Sequence, residues 1–269
     1  MNASLTRILP VLAAGALVLA GCSSDADAPA ATATTTGTAG SSVALVTDGV
    51  LTVCTNPPFA PFEFEEDGQI VGLDMDVTAE VAKDLGVTQT VLNVGFDALE
   101  SGAALESGQC DVVATGLSIT EERKANLEFS QPYFDADLGI LVKKDSGIAS
   151  EADLAGKRIG VQIATDGEAW VTEHELGAVQ FADLGLQIQS LNADQVDAVM
   201  NDYAVLGTYT AQGYELLAPV PTGATYGLAV KKGNTALLTQ VDATLERIKA
   251  DGTWAQIYTD RIGVAPSED

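Results

Sequence analysis

The chain has 269 residues, of which 46% are hydrophobic, so it is long enough for one large domain or two smaller domains with proper cores. Its 38 acidic residues outnumber its 13 basic residues and give a formal net charge of −25. Such a charge repels phosphates and argues against a nucleic-acid-binding protein. A soluble acidic exterior explains the charge more simply than long-range attraction of cationic ligands, which is the alternative.

The first residues predict an export signal. Arg7 supplies a weak positive start, and the apolar run 8–20 is too short to span a membrane as a stable helix. The run ends in Leu19-Ala20-Gly21-Cys22, which resembles the bacterial lipoprotein box and implies removal of residues 1–21 and lipidation of Cys22. An ordinary secretory signal with an incidental cysteine is the alternative. Residues 22–43 are rich in small and polar residues and predict a flexible tether.

The first part of the body predicts a strand, a stiff loop and a hairpin. Residues 51–55 are typical of a buried strand, and the prolines that follow it must leave the sheet at the strand's end. Phe59 lies at the tip of that loop, where it is either a platform for a ligand or a plug for the core. Residues 63–70 predict a hairpin that turns at Asp67-Gly68.

A helix is predicted over residues 77–85, ending at Gly86, because glycine commonly follows the last helical residue. Asp74 and Asp76 stand just before it. The two acids resemble a metal-binding pair, but no partner acids follow at ligand spacing. We therefore expect them to cap the helix and predict no metal site.

Two further strands suggest a cross-link. Residues 87–94 predict the second strand, Phe96 introduces a helical stretch, and residues 110–114 predict the next strand. Cys54 and Cys110 lie in strand-like runs that could be neighbours in one parallel sheet, and an exported protein meets oxidising conditions. The sequence predicts a disulfide between them. Two buried thiols that never meet are the alternative.

The stretch after residue 114 predicts an anion-binding position. Ser118 and Glu121 have the spacing of a capping box, which places Arg123 on the first turn of a helix. The helix dipole disfavours a cation there unless a small anion lies between the guanidinium and the free backbone N–H groups. An ion pair between Arg123 and Glu122 or another surface acid is an equally good interpretation.

The rest of the chain repeats strand, loop and helix, which is the pattern of an α/β fold. The predicted strands are 138–143, 157–163, 196–200 and 226–230, and the predicted helices are 165–170, 192–196 and 235–250, with a last short helix after residue 252. The single histidine, His174, stands between two glutamates on a helix and is expected on the surface. We find no catalytic triad, phosphate loop or zinc spacing, so the sequence predicts neither an enzyme nor a cofactor.

Polar residues follow the predicted strands at the edge where open α/β sheets bind ligands. Asn56, Thr115 and Asp202 each come after a strand, and Thr165 begins a second capping box with a glutamate three residues later. Together with Arg123 and two phenylalanine rings, these residues match the chemistry of a zwitterion. Arg123 and free N–H groups would take a carboxylate, and Asp202 would take an ammonium.

Several motifs resemble a known family. They are the runs 56–63 (NPPFAPFE), 72–76 (GLDMD), 116–123 (GLSITEER), 129–134 (FSQPYF), 196–202 (VDAVMND) and 226–233 (YGLAVKKG). From about residue 51 to 263 the chain is similar to the bacterial extracellular solute-binding proteins of family 3, the amino-acid-binding lipoproteins of ABC importers.

The resemblance implies an α/β fold of the periplasmic-binding-protein type II, with two lobes joined by two hinge crossovers. Each lobe would be a mostly parallel sheet flanked by helices. The first lobe would take residues 44–135 and 232–269, and the second would take 139–227. A ligand would close the lobes over itself. The implied partners are an amino acid and the permease of an ABC importer. We expect a monomer, anchored by lipid on the extracytoplasmic face of the cell membrane.

The resemblance also implies the ligand contacts. These are Asn56, Phe59, Phe96, Thr115, Gly116, Ser118, Arg123, Thr165, Asp166 and Asp202. Arg123, helped by Ser118 and Thr165, would bind the α-carboxylate. Asp202 and the Gly116 carbonyl would hold the α-ammonium, and the two phenylalanines would flank the ligand's side chain.

Three departures from the family pattern leave the ligand open. Many relatives have an aspartate where this chain has Asn56, which weakens a lysine or arginine assignment. The usual Gly-Thr-Thr is here Ala164-Thr165-Asp166, so Asp166 either points away as a cap or binds a second cationic group. A small insertion at 101–104 resembles relatives that bind basic amino acids. The prediction is therefore a polar L-amino acid, with glutamine-like and basic ligands both possible.

An enzyme on the same fold is the competing hypothesis, because the family includes a cyclohexadienyl dehydratase. That reaction would need an acid in the cleft as proton donor. Glu173 and Asp166 are the candidates, but no sequence pattern supports either of them.

Overall fold

A computed structural model describes residues 43–266. Within that range the chain forms an α/β structure of two lobes, each built on its own sheet. The predicted signal segment 1–21, the lipidation site Cys22 and the tether as far as residue 42 lie outside the described residues. No helix of residues 43–266 combines the length and the apolar character needed to cross a membrane.

Lobe 1 contains a five-stranded sheet. Its strands are β1 (Val50–Thr55), β4 (Thr88–Asn93), β5 (Val112–Val113), β6 (Leu127–Phe129) and β13 (Ala229–Lys231). They lie in the order β4-β1-β5-β13-β6. β1 runs parallel to β4 and β5, while β13 runs antiparallel to both of its neighbours. The predicted hairpin beside this sheet pairs β2 (Phe64–Glu66) with β3 (Gln69–Val71).

Lobe 2 contains a six-stranded sheet. Its strands are β7 (Phe134–Lys143), β8 (Arg158–Gln162), β9 (Gly177–Phe181), β10 (Ala198–Asp202), β11 (Tyr214–Leu216) and β12 (Val220–Tyr226). They lie in the order β11-β7-β10-β8-β9, and β12 also pairs with β7. β10, β8 and β9 are parallel, and β7 is antiparallel to its partners. Both sheets are thus mixed, with parallel strands at the positions that support the polar residues predicted above.

Helices cover the sheets. They are α1 (Leu73–Leu85), α2 (Phe96–Glu100), α3 (Ala103–Glu106), α4 (Glu121–Lys124), α5 (Asp166–Glu173), α6 (Leu184–Asn192), α7 (Tyr203–Gly207), α8 (Thr235–Ala250) and α9 (Thr253–Ile262). α1 and α8 bury apolar residues at helical spacing, such as Val77 and Val81 or Val241 and Leu245. Gly86 ends α1 in the left-handed conformation, as its position predicts.

Two segments carry the chain between the lobes. The first leaves β6 and enters β7, and the second leaves β12 and enters β13. They are hydrogen-bonded to each other: Ser130 N donates to Leu228 O at 2.8 Å, and Tyr133 N donates to Tyr226 O at 3.0 Å. The two crossovers therefore form one short connection, which is the geometry of a hinge.

The predicted disulfide is present. Cys54 in β1 is bonded to Cys110, which lies ahead of β5, and their Cα atoms are 5.8 Å apart. Both residues are buried. The bond ties two neighbouring parallel strands at 56 residues' separation, so it braces lobe 1 directly beneath the ends of those strands.

The predicted capping box at Ser118 is wrong. The N-cap of α4 is Thr120, whose hydroxyl accepts from Arg123 N at 3.2 Å, while Ser118 pairs as a bridge with Tyr226. Thr120 offers a capping hydroxyl two residues later. The bridge to Tyr226 of lobe 2 keeps Ser118 in an extended conformation. α4 has only four residues, so its dipole is weaker than a long helix would give.

Other element boundaries also differ. α1 begins at Leu73, so Asp74 and Asp76 lie inside its first turn and do not cap it. Residues 192–196 are not a helix, because the helix there is α6, which Asp183 caps and Asn192 ends. The predicted strand 226–230 is two strands in different sheets, since the chain crosses between lobes at Gly227 and Leu228.

Candidate ligand-binding site

A cavity lies between the lobes, and the space free of protein atoms within it and its opening to solvent is about 360 Å³. All ten residues predicted as ligand contacts line it, together with Glu63 and Gln162. Their convergence follows from topology. Asn56 follows β1, Thr115 follows β5, Gln162 ends β8 and Asp202 ends β10. The ends of parallel strands meet at one edge of a sheet, and the two edges face each other here.

Arg123 joins the two lobes. It is 6% exposed, and its Nη1 donates to Ser118 O of lobe 1 at 3.0 Å. Its Nη2 donates to Ala164 O of lobe 2 at 2.9 Å. The guanidinium also lies near two carboxylates, with Nη1 3.6 Å from Asp166 Oδ1 and Nε 4.0 Å from Glu100 Oε2. Two of its five N–H donors are thus committed to carbonyls, which leaves donors for an anion.

Phenylalanine rings form the apolar walls. The guanidinium carbon of Arg123 lies 5.7 Å from the centre of the Phe96 ring, so Phe96 supports the arginine as well as lining the cavity. Phe59 is 8% exposed, and it packs against Gly116. Gly116 has φ +53°, and a Cβ atom there would lie 2.6 Å from Phe59 Cε1. Only glycine fits that backbone conformation beside that ring.

The second predicted capping box forms in part. Thr165 caps α5 by accepting from Glu168 N, but the Glu168 carboxylate accepts from Ala164 N rather than from the N-cap. The Thr165 hydroxyl donates to Gln162 O at 2.7 Å, so its one proton is already used. Ala164 has φ +63°, a left-handed conformation that directs its carbonyl to Arg123. Glycine would adopt this conformation without strain.

Glu63 is a fully buried carboxyl that the sequence did not single out. Its Oε1 accepts from Thr115 Oγ1 at 2.5 Å, and its Oε2 has no partner among the described residues. Burial raises the pKa of Glu63 well above its usual range, and the nearby Asp74 raises it further. An unpartnered carboxylate oxygen in a closed cavity calls for a donor from a ligand.

Asp202 ends β10 on the lobe 2 side of the cavity. Desolvation raises its pKa to about 7, and repulsion from Asp166 adds to this, while the Tyr226 hydroxyl and Arg123 oppose it. A cation placed beside Asp202 would remove the main penalty on its charged form. The position therefore suits an ammonium group.

Asp74 connects the cavity with the hinge. Its Oδ2 accepts from Gly116 N at 2.8 Å, and its Oδ1 accepts from Tyr133 Oη at 2.6 Å. Tyr133 lies in the first crossover segment. Burial raises the pKa of Asp74 to about 6. The predicted role of Asp74 as a cap is thus replaced by a bond that fixes the Gly116 backbone.

Two lining residues were missed from the sequence. Gln162 is the polar residue at the end of a parallel strand, so the rule that found Asn56, Thr115 and Asp202 applies to it as well. Glu63 gave a weaker signal, a single acid between Phe62 and Phe64. His174 is exposed at the end of α5, where it stacks on Trp170, and it does not line the cavity. Among residues 43–266, no group of three or more acids, histidines and cysteines is placed to hold a metal ion.

The model of the family described as bacterial extracellular solute-binding proteins, family 3, matches residues 51–263. That match covers most of the chain. The chain belongs to the bacterial extracellular solute-binding proteins, family 3. Its motifs 56–63, 116–123 and 196–202 thus carry a resemblance that the family comparison confirms.

Proteins and solved structures that are similar to this chain carry the names of amino-acid-binding proteins. The ABC transporter glutamine-binding protein GlnH of Bacillus subtilis (strain 168) is 32% identical over 208 residues, 75% of this chain and 76% of that protein. The structure of an ancestral arginine-binding protein bound to glutamine is 38% identical, with a TM-score of 0.76, over 81% of this chain and 100% of the other. The ancestral amino acid-binding protein AncCDT-1, described as a precursor of cyclohexadienyl dehydratase, is 32% identical, with a TM-score of 0.75, over 80% and 96% of the two chains.

Proposed function

We propose that this protein captures a polar L-amino acid between its lobes and delivers it to the permease of an ABC importer. One observation carries the proposal: a guanidinium from lobe 1, Arg123, and a carboxyl from lobe 2, Asp202, line the same cavity. A free amino acid is the simplest molecule with an anion and a cation at matching ends. The names of the family and of its members support the same function.

The individual contacts follow from the geometry. Arg123 binds the α-carboxylate with its uncommitted N–H donors, helped by the free N–H groups at the start of α5 near Asp166. Asp202 and the Gly116 carbonyl hold the α-ammonium. Because the Thr165 hydroxyl already donates to Gln162 O, Thr165 acts by its place at the helix start rather than by its side-chain proton.

The remaining parts of the proposal concern the whole molecule. The predicted lobe bounds 44–135, 232–269 and 139–227 shift slightly, because β7 begins at Phe134 in the second lobe and β13 begins at Ala229 in the first, and ligand binding closes the hinge between the lobes. Residues 1–21 are removed, Cys22 carries the lipid anchor, and residues 22–43 tether a monomer to the extracytoplasmic face of the membrane. Metabolic labelling with a fatty acid would test the anchor, which a Cys22→Ala variant should not incorporate.

A thermal-shift panel over the common amino acids tests the function. A true ligand at about 100 times its Kd should stabilise the protein by about 2.7 kcal/mol. Isothermal titration calorimetry should then give a one-to-one complex. Failure of every amino acid to shift the unfolding temperature would refute the proposal.

The enzymatic alternative now has a different candidate acid. Glu173 lines an outer hollow next to the cavity and Asp166 lines both, whereas Glu63 is fully buried in the cavity wall with a raised pKa, as a proton donor would be. The similarity to AncCDT-1, a precursor of cyclohexadienyl dehydratase, is the reason to test this alternative. Saturable turnover of prephenate or arogenate, lost in Glu63→Gln, would favour the enzyme over the receptor.

A further inference from the structure

Four side chains that line the cavity are linked by hydrogen bonds, and these bonds fix the polarity of that part of the cavity. They are Asn56, Glu63, Thr115 and Gln162, of which the first three come from lobe 1 and the last from lobe 2. Each can be assigned as a donor or an acceptor from its neighbours. The ligand's own hydrogen-bonding character follows from what they leave open.

The assignment starts at a backbone carbonyl. Asn56 Nδ2 donates to Val94 O at 2.9 Å, and because a carbonyl can only accept, the amide of Asn56 cannot be turned the other way. Its Oδ1 therefore faces Gln162 and accepts from Nε2 at 3.1 Å. Gln162 Nε2 also donates to Ala182 O at 3.4 Å. Both N–H donors of Gln162 are used, and its Oε1 accepts no hydrogen bond within residues 43–266.

Glu63 is fixed in the same way. Asn56 N donates to Thr115 Oγ1 at 3.1 Å, so the Thr115 hydroxyl must direct its own proton elsewhere. It donates that proton to Glu63 Oε1. Glu63 Oε2 is buried and has no partner among the described residues. These side chains therefore leave one oxygen on Glu63 and one on Gln162 without a hydrogen bond, and the buried Thr55 hydroxyl, which also has no partner among the described residues, lies close enough to lower the pKa of Glu63.

We propose that Asn56 and Gln162 are specificity-determining residues which, with Glu63, make this part of the cavity select a cationic donor side chain, a guanidinium or an ammonium, over a carboxamide. The inference rests on the proposed function and names its ligand class. A guanidinium has five N–H donors and no acceptor, so it satisfies both oxygens and also stacks on the neighbouring Phe59 ring. A carboxamide carries no charge that would hold Glu63 ionised against its burial, and its oxygen would face the Gln162 oxygen, which can only accept.

The departure at Asn56 is thereby explained. An aspartate at this position could not donate to Val94 O, whereas asparagine can, and that bond orients Gln162. The negative charge for a cationic ligand comes instead from Glu63. The loss of an acid at position 56 therefore does not count against a basic ligand.

Arginine and citrulline give a matched test, because they share a shape and differ in replacing an N–H₂ donor by a carbonyl oxygen. By calorimetry, the wild-type protein should bind arginine at least about 30-fold more tightly than citrulline or glutamine. Citrulline or glutamine binding within threefold of arginine would overturn the inference and leave the proposed function standing. If no amino acid binds, the proposed function itself fails.

Variants test the assigned residues. Glu63→Gln keeps the shape and removes the negative charge that a cationic side chain would stabilise, so the preference for arginine over citrulline should fall from at least about 30-fold to within about threefold. Gln162→Leu removes one acceptor and should lower the same ratio by a smaller factor. Glu66→Gln, an equal change of charge at an exposed hairpin position, should leave the ratio unchanged. If the ratio of arginine to citrulline affinity were unchanged in both cavity variants, the assignment would be contradicted. This ratio does not depend on how much of the variant protein is folded.

Discussion

The two lobes contribute unequally to the cavity. Eight of the twelve lining residues lie on lobe 1 elements, including the one cation among them, Arg123, and both phenylalanine rings. Lobe 2 contributes Gln162, Thr165, Asp166 and Asp202. Lobe 1 is also cross-linked by Cys54–Cys110, in which Cys54 lies in β1, two residues before Asn56, and Cys110 precedes β5. Lobe 2 supplies no cation and two carboxylates.

The unequal contributions indicate different roles for the two lobes. Lobe 1 is a braced half-site whose oxygens, rings and guanidinium are placed by contacts within that lobe. In the proposed function, lobe 2 closes over this half-site and Asp202 adds the counter-charge for an ammonium. Three contacts made by side chains cross the cleft, from Arg123 to Ala164 and Asp166 and from Gln162 to Asn56. Substitutions in lobe 1 should therefore cause larger losses of affinity and stability than substitutions in lobe 2.

Arg123→Ala should have the largest effect on binding. Removal of the buried Arg123 guanidinium would leave the ligand's carboxylate desolvated and unpaired, at a cost of about 2–5 kcal/mol. Calorimetry should show the loss for every amino acid that binds, whatever its side chain. Lys124→Ala is the control, since Lys124 is an exposed neighbour that pairs with Glu121. A Kd within twofold of wild type would remove Arg123 from the site.

Replacing Cys54 and Cys110 by alanine should destabilise lobe 1. The bond closes a loop of 56 residues, which corresponds to about 4 kcal/mol in the chain-entropy account. Denaturant unfolding should report the loss, and hydrogen exchange should accelerate in β1 and β5 more than in β8 and β10. Equal acceleration in both lobes would show that lobe 1 is not braced separately.

Gly116→Ala should lower both stability and affinity. The new Cβ must displace the Phe59 ring and adopt a positive φ, at a cost of about 1–3 kcal/mol. Gly108→Ala is a matched control, because Gly108 also has a positive φ but no atom lies within 4 Å of the built Cβ. Thermal unfolding of the two variants separates the clash from the backbone strain. Equal losses would mean that the Phe59 contact is not tight.

The affinity for a ligand with a neutral side chain should depend on pH through Asp202 in lobe 2. Asp202 has a pKa of about 7 in the free protein, and an adjacent ammonium stabilises its charged form, so binding expels a proton. Affinity should be constant above pH 7 and fall by up to about tenfold per pH unit below it. Asp202→Asn should bind more weakly and without this slope. A slope retained in Asp202→Asn would assign it to another acid, such as Glu63 or Asp74.

Ala164→Gly should have the smallest effect and the opposite sign. Ala164 is held at φ +63°, a conformation that costs alanine more than glycine, so the exchange should stabilise lobe 2 by about 0.5–1 kcal/mol. Thermal unfolding measures it. Destabilisation would indicate that the Ala164 methyl group makes a contact worth more than the strain.

Local patterns in the sequence determined much of this protein. Strand ends identified Asn56, Thr115 and Asp202, turn chemistry identified the hairpin at Asp67-Gly68, and apolar spacing identified α8. Such features depend on the period of the backbone and on the few residues around each turn. The motif resemblance extended them to the family, and the cysteine pair was predicted from two strand-like runs that could be neighbours, which the structure confirms.

Tertiary structure alone decided how the charges are partnered. The Arg123 guanidinium meets Ala164 O 41 residues away, and Gln162 meets Asn56 across 106 residues. Glu63 is a cavity residue because its neighbours bury it, although its local sequence is that of a hairpin. The split of residues 226–230 between two sheets likewise depends on the crossing of the lobes. Local sequence restricts backbone shape, but burial and pairing arise only where distant segments meet, so they cannot be predicted from either segment by itself.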